Sequence, residues 1–454
     1  MNSKQLVLNA IHNKETERAP WVPFVGCHAA ALIGVGAEEY FKSSENIVNG
    51  VLKAYERYRP DGIPFLFDLQ VEAEAMGCGL KYAADNPPSV VTHPLEQGVK
   101  LEDLKIPGEN DGRFPIVLKA ARAICGELGD KIAVYGLVTG PFTLALHLMG
   151  TDIFYEMADD PDRVNDVMKF CMKVCINTSK LYTDAGVDVI AVVDPMTSQI
   201  SPKNFREFVS PYATEVFKYI KSLGKAGSFF VCGNAKNNIE EMCKCGPDNI
   251  SIDENIPLEY VVDICHKYGI SAGGNIKLTV TMLFGTPEDN IRDAENCMAV
   301  GGKKGYILSP GCDIPFAVPP RNIEAISGCV HGEVADFLET EYSNMLDGIE
   351  YRLPDYAAEK QVIIDVITLD SDSCAPCQYV MEAVRAAAEP FGDKVRYMEH
   401  KIKEKESVAC MLKLGVKNIP TIVVDGQIKY VSIIPGVEKL RECIKETLDV
   451  KEKK

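Results

Sequence analysis

Short apolar runs rich in β-branched residues recur along the first three quarters of the chain. Each is followed by a longer stretch with helical periodicity, and this alternation constrains the fold more than any other feature. The runs read as strands are Trp21–Gly26, Gly62–Phe67, Lys131–Val138, Asp188–Val193, Gly227–Cys232, Asn249–Asp253, Ser271–Ile276 and Gly305–Leu308. Near-continuous apolar runs suit strands buried on both faces, as in a parallel sheet. Between them lie helical patterns over Ser44–Tyr58, Phe114–Leu128, Asp160–Ala185, Ser201–Leu223 and Leu258–Tyr268. Asp160 before Pro161 and Ser201 before Pro202 read as N-cap followed by the first helical position. Eight strand–helix units predict an α/β fold of the (β/α)8 TIM-barrel type, with a doubly wound open sheet as the competitor. No G-x-G-x-x-G follows any strand, which removes the usual dinucleotide reading.

In such a barrel the reactive residues follow the C-terminal ends of the strands. Those positions hold Cys27 and His28, Asp68, Thr139-Gly140-Pro141, Asp194, Cys232-Gly233-Asn234, Asp253-Glu254, Asn275 and Cys312-Asp313. Two thiols on separate strand ends, Cys232 and Cys312, have the chemistry to share a zinc ion, which favours thiolate and imidazole ligands. Free Cys is also among the most buried residue types, and nothing local links these two.

Composition narrows the function. Acidic residues exceed basic ones, 65 against 48, for a net charge of −17. A nonspecific nucleic-acid binder needs the opposite sign, and an anionic membrane surface repels such a chain. Sixteen Cys in 454 residues would suggest disulfides only in a small secreted domain. The N-terminus shows no basic region followed by an apolar run, and no segment is long enough to span a bilayer. The expectation is a cytoplasmic protein with mostly reduced thiols.

Roughly the first 340 residues resemble the uroporphyrinogen decarboxylase superfamily, and within it the cobalamin-dependent, methylcobamide:coenzyme M-type methyltransferase branch. The matching residues include Phe67-Asp68-Leu69, Glu74-Ala75-Met76-Gly77-Cys78 and Gly140-Pro141-Phe142-Thr143-Leu144-Ala145. They continue through Asp194-Pro195, Ile200-Ser201-Pro202, Phe208-Val209-Ser210-Pro211-Tyr212, Cys232-Gly233-Asn234 and Ser251-Ile252-Asp253-Glu254. Ser309-Pro310-Gly311-Cys312-Asp313-Ile314-Pro315 completes the set. The resemblance implies a TIM barrel and a zinc site built from His-x-Cys plus a later Cys. Cys232 and Cys312 fall on the two Cys positions, but the His position holds Phe230. Either His28, Cys27 or His147 replaces it, with His28 our candidate, or zinc has been lost. The decarboxylase proper holds a polycarboxylate with basic groups near its N-terminus. Here Val25–Leu32 contains no Arg, although several carboxylates need an electropositive cavity.

The last part of the chain reads differently. Domains are expected at 1–345 and 361–454, with 346–360 as linker. After the strand Gln361–Leu369 come a loop and Cys374-Ala375-Pro376-Cys377, which opens a helix. A strand–CxxC–helix arrangement signals a thioredoxin-like redox domain. The helix dipole lowers the pKa of the first Cys, and the second resolves a mixed disulfide. Ile419-Pro420-Thr421, before a further strand, matches the cis-proline that flanks the dithiol in such folds. Ser373 stands where a Trp is common.

These readings predict a corrinoid-dependent methyltransferase acting between a methylcobamide and a thiol-type acceptor. Asp194 and Asp253 are the candidate catalytic carboxylates, and Asp68, Asn234 and Asn275 are candidates for substrate binding. Cys232, Cys312 and His28 are candidate metal ligands, and Cys374, Cys377 and Pro420 form the redox site. No Asp-x-His-x-x-Gly motif is present, so cobalamin arrives on a partner corrinoid protein or as an exchangeable substrate. The other partner is a small thiol or methylated small molecule, and dimers are common in the superfamily. The redox domain would keep barrel thiols reduced or deliver a thiol-bound substrate. The alternative is a redox-regulated or thiol-binding protein without methyl transfer.

Overall fold

The computed structural model describes residues 2–338, 349, 351–372 and 374–452. Contacts divide the chain into two units, Met1–Tyr342 and Ser343–Lys454.

The first unit is built on one curled sheet of seven parallel strands in sequential order. They are β1 (Gly62–Pro64), β2 (Ala133–Thr139), β3 (Val189–Val193), β4 (Ala226–Val231), β5 (Asn249–Ile252), β6 (Ser271–Ile276) and β7 (Tyr306–Pro310). Every residue in them is buried, as expected where helices cover a barrel and side chains fill its interior.

The first expected strand, Trp21–Gly26, is realised only as a bridge. Trp21 pairs in parallel with Leu308, and Val22 donates its N–H to the Leu308 carbonyl at 2.9 Å. On its other side the Trp21 carbonyl accepts from Asp61 at 2.8 Å, so this segment closes the ring between β7 and β1. Pro20 and Pro23 have no N–H to give to a ladder, which limits the pairing. Pro64 shortens β1 in the same way.

Several helix boundaries follow the expected local chemistry. Asp160 caps Pro161–Ala185 by accepting from the Arg163 N–H at 3.1 Å, and Ser201 accepts from Asn204 at 3.2 Å. The helix expected over Ser201–Leu223 is interrupted by a wide turn at Phe205–Val209 before it resumes as Ser210–Ser222. Pro211 lacks the N–H that an uninterrupted α-helix would need there.

The second unit has a four-stranded sheet in the order β9-β8-β10-β11. Its strands are β8 (Val362–Thr368), β9 (Val395–Lys401), β10 (Thr421–Val424) and β11 (Gln427–Val431). β8 and β9 are parallel, and the other pairs are antiparallel. The hairpin turns at Asp425-Gly426, both with positive φ (47° and 74°), as a two-residue primed turn requires. One core joins Val362, Ile364 and Val366 of β8 to Val380 and Val384 of helix Ala375–Ala388 and to Leu440 and Ile444 of helix Val437–Lys451.

Of the linker expected at 346–360, residues 346–348 and 350 lie outside the described residues. Tyr356 belongs with the second unit: its hydroxyl donates to Asp365 on β8 at 2.8 Å. Ser373 also lies outside the described residues.

Candidate functional site

Two loops at the C-terminal rim of the barrel bring Cys232 and Cys312 together. They are 80 residues apart in sequence, yet their Sγ atoms lie 2.8 Å apart. Both side chains are half-buried and rest on the interior apolar cluster. Phe230 is one member of that cluster. It is 1 % exposed, and its ring centroid lies 5.0 Å from Phe24 and 6.0 Å from Phe67. The three rings close the barrel interior directly beneath the thiols, so the position expected to hold a His is an aromatic plug. The hydrogen bond to Cys312, burial, and the charges of Asp253 and Glu254 push the Cys232 thiol well above its ordinary pKa.

The carboxylates near the rim hold loops. Asp253 accepts from the Gly233 N–H at 2.5 Å and from the backbone and side chain of Asn255 at 2.9 and 2.8 Å. It thereby anchors the turn after Cys232, where Gly233 has a φ of 86° that favours glycine. Burial raises Asp253 to about 6. Asp313, next to Cys312, accepts from the Gly26 N–H at 2.7 Å and is raised by burial to about 7. A Cβ on Gly26 would lie 2.3 Å from that carboxylate, so only glycine permits the approach. Glu254 accepts from the Leu278 N–H at 3.2 Å, and burial followed by the Asp253 charge raises it to about 8.

Asp194 differs from the expected catalytic carboxylate. It accepts from Phe142 N–H at 3.1 Å, Thr143 N–H at 2.8 Å and Thr143 Oγ1 at 2.6 Å, so it caps helix Pro141–Met149. Asn275 donates to the Asp253 and Ile256 carbonyls at 3.1 and 2.9 Å and is a buried tie between loops. Asp68 is ion-paired with Arg113 at 2.6 Å, and Arg113 also holds Glu74 at 2.5 Å. These engagements are structural and leave the substrate-binding expectation for Asp68 and Asn275 without support from the geometry. Asn234 is exposed beside the pair.

In the second unit Cys374 is the N-cap of helix Ala375–Ala388 and is disulfide-bonded to Cys377. Cys374 is half-buried and Cys377 is fully buried. The Ile419–Pro420 peptide is cis. The Cys374 N–H donates to the Asp370 carbonyl at 2.9 Å. Asp370 is buried, yet hydrogen bonds from Lys401 and Lys403 hold its carboxyl below the ordinary range. On β8, Asp365 binds His400 Nε2 at 2.8 Å as well as Tyr356. Burial alone would lower His400; the hydrogen bonds to Asp365 and Cys410 outweigh it and push it up to about 9.

Comparison with known proteins places this geometry. Residues 2–333 match the family described as Uroporphyrinogen decarboxylase (URO-D), and residues 362–445 match a thioredoxin domain. The chain belongs to the uroporphyrinogen decarboxylase family. Among curated relatives, the methylcobamide:CoM methyltransferase MtbA of Methanosarcina acetivorans is 30% identical over 58% of this chain and 77% of its own length. The methylcobamide:CoM methyltransferase MtaA of Methanosarcina barkeri is 26% identical over 71% of this chain and 96% of its own. A solved methyltransferase from Methanosarcina mazei shares the fold, with a TM-score of 0.67 at 23% identity, covering 74% of this chain and all of that one.

The zinc implied by the resemblance was tested on the donors of this URO-D barrel. A catalytic zinc site takes three protein ligands and one open position. Cys232 and Cys312 supply two. His28, the expected third, is buried with Nδ1 at 3.2 Å from the Phe316 carbonyl and Nε2 at 2.7 Å from the Tyr58 hydroxyl. Both nitrogens are engaged, and burial lowers the ring to about 4. Cys27 directs its Sγ at the Ile314 carbonyl, 3.8 Å away. His147 is buried in helix Pro141–Met149. Among the described residues no three His, Cys, Asp or Glu side chains converge as a metal-binding group. The donor set does not fit a three-ligand zinc site.

Sequence reasoning did not single out Arg113 or the Tyr356–Asp365–His400 chain. Neither has a local signal, because the partners lie on different elements. Glu254 and Asp313 were visible beside strand ends but could not be ranked without their burial.

Proposed function

We propose that the URO-D barrel transfers a methyl group between a methylcobamide, carried by a partner corrinoid protein, and a small thiol-type acceptor. The acting chain is cytoplasmic, with a methyltransferase unit over 1–345 and a dithiol unit over 361–454 joined by 346–360. The observation that carries the reading is the meeting of Cys232 and Cys312 at the barrel rim, on a chain whose matched relatives are named methylcobamide:CoM methyltransferases. Cobalamin supplies the methyl group when bound. No zinc-dependent step is included, because the donors do not fit the ion.

What the chain's own residues contribute follows from their setting. A thiol acceptor loses a proton as its sulfur takes the methyl group, so a base titrating near neutrality is required. Glu254, raised to about 8 with its neighbour Asp253 at about 6, provides carboxyls in that range beside the loop of Cys312. A Cβ on Gly311 would lie 2.4 Å from Glu254 Oε2, so the Cys312 loop runs directly over that carboxyl. Phe24, Phe67 and Phe230 exclude water from below.

The test is demethylation of methylcobalamin by the full chain with a panel of small thiols, followed by absorbance and by mass spectrometry of the methylated product. Thiol-dependent loss of methylcobalamin matched by a methyl thioether supports the reading. Absence of turnover with every thiol, with and without reductant, overturns it.

A further inference from the structure

The barrel interior is not uniformly apolar. Beside Phe24 and Phe230, a polar layer crosses part of the ring. Ser228 on β4 donates to Asn249 Oδ1 on β5 at 2.8 Å, and Asn249 Nδ2 donates to Ser271 on β6 at 2.9 Å. These groups satisfy one another. Three hydroxyls next to them stand outside that chain: Tyr135 on β2, Ser251 on β5 and Ser309 on β7 are buried, and their oxygens have no hydrogen-bond partner in the protein. All three line one cavity, whose apolar walls include Val22, Ala191 and Ile307. A buried hydroxyl left unpaired forfeits its hydration with nothing in return, so three around one space call for a common partner.

We propose that this cavity is a binding site for one internal water, held by the hydroxyls of Tyr135, Ser251 and Ser309 and tying β2, β5 and β7 together across the barrel. Size and charge select the ligand. The volume open to the centre of a water molecule is about 10 Å³, roughly what a single water occupies and too little for an organic solute. Among the described residues no charged side chain lines the cavity, so an ion of either sign would be buried without a counter-charge. An internal water makes about three hydrogen bonds, and three unengaged hydroxyls are offered. None of β2, β5 and β7 is a ladder neighbour of another, so the water joins strands that the backbone leaves unconnected. Ser251 precedes Asp253 by two residues and Ser309 precedes Cys312 by three, so the tie reaches the strand ends that carry the rim. The site stands whether or not the barrel transfers methyl groups, because it is read from density and stability.

The experiment has two arms, both on the full chain. A crystal structure at a resolution that shows ordered solvent should contain one water peak about 2.6–3.2 Å from Tyr135 Oη, Ser251 Oγ and Ser309 Oγ. In the second arm, urea unfolding of the barrel is compared for the parent, Tyr135→Phe, Ser251→Ala and Ser309→Ala. The sign of the change discriminates. With water bound, each substitution leaves it short of a partner and lowers the midpoint by about 0.2–0.5 M. In a dry cavity, the same substitution deletes an unpaired buried hydroxyl and raises the midpoint. A lowered midpoint in at least two variants supports the site. The Ser251→Ala/Ser309→Ala double variant should then cost less than the sum of its singles, because both act through one water. A raised or unchanged midpoint in two or more variants overturns the proposal. So does a crystal structure with no peak at the three hydroxyls, or with density too large for a water.

Discussion

The two dithiols are assembled in opposite ways. Cys374 and Cys377 are neighbours by sequence, three residues apart on the first turn of one helix. Cys232 and Cys312 are brought together from 80 residues apart by two rim loops, which are held by Asp253 and Asp313. The first pair depends on local helix geometry, and the second exists only while the whole barrel is closed. Perturbing the barrel should therefore damage the rim pair while leaving the CxxC chemistry intact, and the converse should hold.

The largest effect is expected from Cys374→Ser, which should remove insulin-disulfide reduction by the full chain while leaving the barrel folded, as read by far-UV circular dichroism. Retained reductase activity would reassign the attacking sulfur. Next is Arg113→Met, which leaves Asp68 and Glu74 buried or half-buried without their cation. Breaking one side of a buried pair costs about 3–5 kcal/mol, measurable as a fall in the urea midpoint of the barrel transition. The redox activity should survive at urea concentrations below that transition.

Phe230→His tests the aromatic plug against the missing ligand. Loss of ring packing and burial of a polar ring should destabilise the barrel by about 2–4 kcal/mol. Equilibrium dialysis should show tighter zinc binding than in the parent chain, and failure to gain it would mean that Phe230 is not the only obstacle. Asp194→Ala should cost about 1–2 kcal/mol through the lost cap of helix Pro141–Met149. A complete loss of methyl transfer in a folded Asp194→Ala protein would restore that residue to the catalytic list.

The smallest effect is a pH dependence confined to the second unit. His400 is raised from 6.5 to about 9, so its protonated form is favoured by the fold. Its stabilising contribution is complete below about 6.5 and is lost as pH rises through about 9. Thermal melts of the full chain should show the second unit weakening over that window, with His400→Gln flattening the slope.

What was legible in advance tracks the range of the interactions involved. The βα rhythm, the Asp160 and Ser201 caps and the CxxC helix all arise from residues a few positions apart. The strand at Trp21–Gly26 was misjudged because its prolines restrict pairing, and only the closing ring shows how little pairing is needed. Asp194, Asn275 and Asp68 stood at the right strand ends for chemistry. Their partners, Thr143, Ile256 and Arg113, lie 51, 19 and 45 residues away, so their roles as ties were invisible.

By itself, the sequence determined the barrel class, the fused thioredoxin-type unit and the CxxC, because each is written in short-range periodicity or in a contiguous motif, and the family resemblance added the departure at Phe230. Only the tertiary structure decided that Cys232 meets Cys312, that His28 is occupied by Tyr58 and Phe316, and that buried carboxyls hold the rim. Those outcomes depend on ring closure, which sets distances between chain segments that no local pattern encodes, and on burial, which sets the protonation of groups whose residue type alone says nothing about it.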